Sequence, residues 1–226
     1  EFSDNEYLVM VTKNGVIKKT PASEYESIRK SGKIAITLKE GDELISIFKT
    51  TGNDNIFLAT RNGMAICFNE NDARAVGRTA SGVKAIDLAD GDYVVGAEPV
   101  REDSKVLLVT DGGYGKCTDL TSFRIQHRGG KGLKAYKITE KTGNIIGISM
   151  VNDSEELIMV TSEGVVIRIR IKDIATTTGR ITQGVRLINL NDGVTVVSMD
   201  KISAEDTVEE ESEENNTEVT AETTEE

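Results

Sequence analysis

Four copies of one unit run through this chain, and that internal repetition constrains the fold more than any single motif. An apolar run ending in Thr, then two residues and Gly, recurs as "YLVMVTKNG", "NIFLATRNG", "KVLLVTDGG" and "ELIMVTSEG". Its closing glycines, Gly15, Gly63, Gly113 and Gly164, are spaced by 48, 50 and 51 residues. A second anchor, "SGKIAITL", "SGVKAIDL", "KGLKAYKI" and "QGVRLINL", is led by Gly32, Gly82, Gly132 and Gly184. A third begins at Gly41, Gly91, Gly143 and Gly193, as in "GDELISI" and "GDYVVGA". Three anchors in register divide residues 1–202 into repeats at about 6–52, 53–102, 103–153 and 154–202.

Each repeat reads as strands. The first anchor is a short, β-branched apolar run, the pattern of a strand buried on both faces. Asn14-Gly15 and Asn62-Gly63 give a hairpin signal in which both turn positions favour φ > 0. The second and third anchors alternate, predicting strands with one solvated side. With two prolines, segments too short for independent helices and about four short strands per repeat, the expected fold is all-β, a propeller-like stack of four-stranded blades. One blade cannot bury its own faces, so neighbours must pack together.

The net charge of −11 is an average over two unlike parts. Residues 201–226 carry 11 acidic groups and one lysine, whereas residues 1–200 carry 27 acidic and 26 basic groups. The tail at 203–226 has too little apolar surface to order itself and is expected to be disordered. Tethered beside a basic body, such a tail suggests an intramolecular competitor for phosphate; a purely solubilising tail is the alternative. Cys67 and Cys117 form no metal-type cluster and are read as reduced thiols of a cytoplasmic protein. One histidine makes a zinc site untenable. No apolar run reaches the roughly 18 residues a membrane helix needs, no signal peptide is apparent, and a start at Glu1 suggests a piece of a longer protein.

Repetition lets equivalent positions be compared within one sequence. Four residues before the second-anchor glycine stand Ile28, Arg78, Arg128 and Arg180; two after it stand Ile34, Lys84, Lys134 and Arg186, with Lys33 one residue earlier in the first copy. Four after the first-anchor glycine stand Lys19, Cys67, Cys117 and Arg168, flanked by Lys18 and Lys116. These side chains could simply solvate outer strands. Against that reading, the basic groups recur at fixed places while acids gather in the hairpins "KEGDE", "DLADGD" and "NDSEE". Stacking would align the bases into a stripe suited to the backbone phosphates of duplex nucleic acid. Single strands want aromatic platforms, and the chain has 5 Phe, 5 Tyr and no Trp.

The loop "QHRGGKG" at 126–132 concentrates the same chemistry. It lacks the first glycine and the hydroxyl of a Walker-type phosphate loop, and His127 has no acid or serine placed to make it a general base. Gly129 and Gly130, extra relative to "GRTASG" and "GRITQG", remove side chains where a backbone could approach. Successive amides can then form an anion nest beside Arg128 and Lys131.

At this point the sequence resembles a known family, the C-terminal domain of the DNA gyrase A protein. The resemblance rests on "KNGVIKKTP", "GRTASGVKAIDLADGD", "GYGKCT" and "GRITQGVRLI" and runs over about residues 2–202. It implies a β-pinwheel whose blades exchange strands and whose rim wraps duplex DNA, presenting a positive crossover to ATP-driven strand passage and so introducing negative supercoils. It also implies partners, namely the rest of the gyrase A protein and the gyrase B protein in an A2B2 holoenzyme. The fragment itself would hold no cofactor and no catalytic residue; ATP and magnesium act elsewhere. The family's signature box, Gln-Arg-Arg-Gly-Gly-Arg/Lys-Gly, is matched by Gln126, Arg128, Gly129, Gly130, Lys131 and Gly132, with His127 replacing one arginine. The box usually sits in the first of about six blades. Its place in the third of four repeats implies two absent blades and a secondary role for this copy. Related C-terminal DNA-binding modules of topoisomerase IV share the implied fold, and a protein-interaction propeller is the rival from another class.

Overall fold

A computed structural model describes residues 3, 5–27 and 30–203; the acidic tail lies outside them. The chain is all-β, with short 3-10 turns at Ala22–Tyr25, Glu70–Asp72, Leu120–Ser122 and Ile171–Asp173. The first repeat supplies β1 (Tyr7–Thr12), β2 (Val16–Pro21) and β3 (Leu44–Thr50). The second supplies β4 (Asn55–Thr60), β5 (Met64–Asn69), β6 (Val83–Lys84) and β7 (Val94–Pro99). The third supplies β8 (Lys105–Thr110), β9 (Tyr114–Asp119), β10 (Leu133–Lys134) and β11 (Ile145–Val151). The fourth supplies β12 (Glu156–Thr161), β13 (Val166–Arg170), β14 (Thr176–Thr177), β15 (Val185–Arg186) and β16 (Val196–Ile202). Among the described residues no helix is long and apolar enough to cross a membrane.

The repeated Thr and Gly of the first anchor make one turn four times over. In the first copy the amide of Gly15 donates to the Thr12 carbonyl at 3.0 Å, and that of Val16 to the Thr12 hydroxyl at 3.2 Å. The same hydroxyl contact recurs at Thr60, Thr110 and Thr161. Gly15 and Gly63 have φ of +77° and +85°, while Asn14 and Asn62 do not enter the left-handed region. The turns are therefore three-residue hairpin loops closed by a left-handed glycine, not the two-residue form that Asn-Gly suggested.

The second anchor builds the next level. β6 pairs with β2 of the first repeat, β10 with β5 of the second and β15 with β9 of the third. The second, third and fourth repeats thus each hand a two-residue strand back to the sheet before it. Gly82, Gly132 and Gly184 permit the handover. A Cβ on each would lie 2.4–2.5 Å from a carbonyl oxygen of the receiving strand, closer than any side chain can sit. The orders are β3-β1-β2-β6, β7-β4-β5-β10, β11-β8-β9 with β14 and β15 both on β9, and β16-β12-β13. The expected uniform four-stranded blades thus become sheets of four, four, five and three strands. Among the described residues no later strand joins the last sheet, and the first repeat's second anchor forms none.

Three cores hold the four sheets together. Val9, Val11 and Ile17 pack on Ile56, Leu58, Ile66 and Phe68. Phe57, Ala59, Ala65 and Cys67 pack on Val106, Leu108, Tyr136 and Met150. Leu107, Val109 and Cys117 pack on Leu157, Met159, Ile171 and Ile174. Alternate residues of one strand serve two interfaces, which is why the first anchor is apolar throughout. β3, β7, β11 and β16 form the inner ends: Ile45, Val94, Ile145 and Val197 line one depression. The acids of the hairpins sit at this turn end, where Asp42 and Asp92 accept the amides of Asn14 and Asn62 at 2.9 and 3.0 Å. The outer rim is left to the second anchors and the loops before them.

Candidate nucleic-acid interface

At each boundary between repeats, an arginine laces the rim. Arg78 donates an Nη1–H to the carbonyl of Ile34 at 2.9 Å, Arg128 to that of Lys84 at 2.9 Å, and Arg180 to that of Lys134 at 3.1 Å. A reciprocal bond runs from the amides of Thr37, Asp87 and Lys137 to the carbonyls of Ala80, Gly130 and Thr182. Every arginine loop is thereby stitched to the second anchor of the preceding repeat. The stitch brings Arg128 beside Lys84, and Arg180 beside Lys134. Lys84, Lys131 and Lys134 stand exposed; Lys84 also pairs with Asp87 at 2.8 Å, which holds that carboxyl below its ordinary range. Arg186 extends the row, donating to the Tyr114 hydroxyl and to Asn189. Lys33 donates to the Glu24 carbonyl at 3.2 Å.

The box loop is held mainly by Asp72. Its carboxylate meets His127 Nδ1 at 3.1 Å and accepts the Arg128 amide at 3.2 Å, while Arg128 Nε donates to the Asp72 carbonyl at 2.8 Å. The amides of Gln126 and Gly129 donate to Cys67 and Ala85. The nest is accordingly smaller than the sequence suggested, because three amides of the loop are used inside. Those of Gly130 and Lys131 have no acceptor among the described residues. Gly132 is dictated by the strand handover and Gly129 by its φ of +79°. Gly130 is exposed, and a Cβ there would meet nothing nearer than 3.8 Å, so the fold gives no reason for it. The Gln126 Nε2 is enclosed without a hydrogen-bond partner.

Three lysines expected at the interface are interior, and Arg168, though exposed, lies elsewhere. Lys18 and Lys116 are fully buried and Lys19 is 4% exposed. Lys19 forms a 2.8 Å ion pair with Glu70, itself fully buried. Lys18 donates to the carbonyls of Ala35 and Arg78; Lys116 donates to those of Gly179 and Arg180 at 3.3 and 2.5 Å. The position shared by Lys19, Cys67 and Cys117 faces the next sheet and is interior wherever one follows. Arg168 is exposed because, among the described residues, no sheet covers that face of β13; it pairs with Glu156 and stands apart from the laced rim. Conversely, the exposed Arg74 and Arg124, each four residues before a lacing arginine, and Lys137 belong to the rim and were missed. The recurrence of Arg74 and Arg124 was the available signal.

The family model described as "DNA gyrase C-terminal domain, beta-propeller" matches residues 6–51, 54–101, 104–152 and 155–203. The chain belongs to the DNA gyrase C-terminal domain family. Relatives of this domain include the DNA gyrase A protein of Halalkalibacterium halodurans, 56% identical over 206 residues, and that of Clostridium acetobutylicum, 49% identical over 206 residues. Each alignment covers 91% of this chain and 25% of the relative, so the gyrase domain described here spans about a quarter of those proteins. A solved C-terminal domain of DNA topoisomerase IV superposes with a TM-score of 0.87 at 29% identity, covering 96% of this chain and 68% of that one. A solved DNA gyrase A C-terminal domain superposes at 0.79 and 26%, covering 89% and 67%.

Proposed function

We propose that this gyrase domain binds duplex DNA along its laced basic rim without reading sequence, and bends it so that gyrase passes strands with a defined handedness. The observation that carries the reading is the arginine stitch repeated at three boundaries, which fixes basic side chains at blade spacing instead of leaving them scattered. Bending 20–30 base pairs by 40–90° costs on the order of 1–6 kcal/mol, so many phosphate contacts must act together. Negative supercoiling then requires the rest of the gyrase A protein and the gyrase B protein, where ATP and magnesium would act. A topoisomerase IV role is the second reading, favoured by the higher TM-score to that domain; it predicts DNA contact without wrapping.

Relaxing a plasmid bound to the domain and reading the retained writhe tests both. A definite sign of writhe supports wrapping, and retention of DNA without writhe supports the second reading. If about eight basic groups engage, log K falls against log salt with a slope near −7. A slope shallower than about −2 would reduce the rim to solvation.

A further inference from the structure

Two buried lysines lie directly beneath the arginine loops, and neither can reach DNA. Lys18 turns the carbonyls of Ala35 and Arg78 inward, and Lys116 those of Gly179 and Arg180. The described peptide bonds are not cis, so a carbonyl held inward sends the N–H of the same peptide plane outward. Those amides are Ile36 and Thr79 above Lys18, and Arg180 and Ile181 above Lys116. None of the four has an acceptor among the described residues, and Thr79 and Ile181 are exposed. The side chain of the adjoining arginine is meanwhile pinned to the rim. Tyr136 completes the second support: its ring lies 5.3 Å from Lys116 Nζ and its hydroxyl donates to the Gln183 carbonyl.

We propose that Lys18 and Lys116 are positioning residues for phosphate: each locks the loop above it so that outward amides and the neighbouring arginine present a ready set of donors to the DNA backbone. The inference rests on the DNA reading and deepens it. It divides the arginine loops into two kinds. Those at 77–82 and 179–184 stand on a buried cation, which also places positive charge behind the amides. The box loop at 126–132 stands over Ile66 and is held by Asp72 instead.

The buried cations give the test a sign. Burial, then the nearby Arg78 and Arg180, lower both lysines to about 8, with Glu24 acting in the opposite sense on Lys18. The groups facing Lys18 are Arg78, Glu24 and Tyr25, and those facing Lys116 are Arg180 and Tyr136. Because the folded value lies below the ordinary lysine value, the unfolded chain holds more protons between these values, and stability rises with pH above about 8. Donor presentation changes the other way, since neutral lysines hold the carbonyls through weaker, uncharged hydrogen bonds and put no positive charge behind the amides.

The experiment measures affinity for a random-sequence duplex at fixed salt, together with Tm, from about pH 7 to about pH 9. It compares the unmodified chain with Lys18→Met/Lys116→Met. In the unmodified chain affinity falls about fivefold or more, on the scale of weakened charge-assisted hydrogen bonds, while Tm rises. The double variant binds more weakly at neutral pH and loses this pH step. An unmodified chain whose Tm rises without loss of affinity overturns the proposal even if the variant fails to fold. Titration with inorganic phosphate, followed by the amide resonances of Thr79 and Ile181, separates the proposal from the DNA reading. Shifts at both amides without duplex retention sustain the phosphate platform and sink the DNA reading. Duplex retention with silent amides and equal pH profiles does the reverse.

Discussion

Glu70 offers the sharpest test of which cations belong to the fold. It is fully buried and accepts four hydrogen-bond donors: Lys19 Nζ at 2.8 Å, the Thr50 hydroxyl at 2.8 Å, and the amides of Gly52 and Asp54 at 2.9 and 2.7 Å. Glu70→Gln keeps the volume and leaves Lys19 as a buried, uncompensated charge, with only the Asn71 carboxamide at 3.3 Å and the Tyr7 ring beside it. Breaking a buried pair from one side costs about 3–5 kcal/mol. At roughly 2–4 °C per kcal/mol for a domain of this size, Tm falls by roughly 6–20 °C. Lys19→Met/Glu70→Gln removes the stranded charge while the Gln oxygen still accepts an amide, so the double variant recovers part of the loss. Chemical denaturation of the four species closes the cycle. The expected coupling is about 1–3 kcal/mol, and effects additive to within about 0.5 kcal/mol would refute the reasoning. The double variant should also keep the DNA salt slope of the unmodified chain. A slope shallower by about 0.9 would return Lys19 to the phosphates.

Lys84→Gln/Lys134→Gln is expected to make the salt slope shallower by about 1.8, and to leave Tm nearly unchanged because both side chains are exposed. Burial pushes the thiols of Cys67 and Cys117 up to about 11; at pH about 8 both should resist a disulfide reagent until denaturant is added, and rapid native labelling would contradict their burial. Gly132→Ala places a Cβ 2.4 Å from the Ala65 carbonyl at a φ of +75°, so it should lose well over about 1 kcal/mol of stability. Gly130→Ala should leave Tm alone and weaken duplex binding if a DNA backbone comes close there; unchanged binding would remove that role.

Much of this architecture was legible because repetition exposes it. The three anchors located the hairpin turns, the four blades and the outer row of Arg78, Lys84, Arg128, Lys134, Arg180 and Arg186. Turn type was misread at Asn14-Gly15, where a third loop residue changes which position needs a left-handed backbone. Strand exchange came only from the family resemblance, since two-residue strands leave no periodicity to read.

By itself, the sequence determined a four-fold β repeat with glycines at each chain reversal, because turn geometry and alternation are local and recur. The depth of each lysine was decided by tertiary structure alone. In "VIKKTP" and "YGKCTD" the lysines look like solvated strand residues. Their burial follows from which neighbouring loop or sheet covers them, and from carbonyls or a carboxylate waiting to receive the charge. The same position is interior at Lys19, Cys67 and Cys117 and open at Arg168, because among the described residues another sheet packs against the first three and none against the fourth.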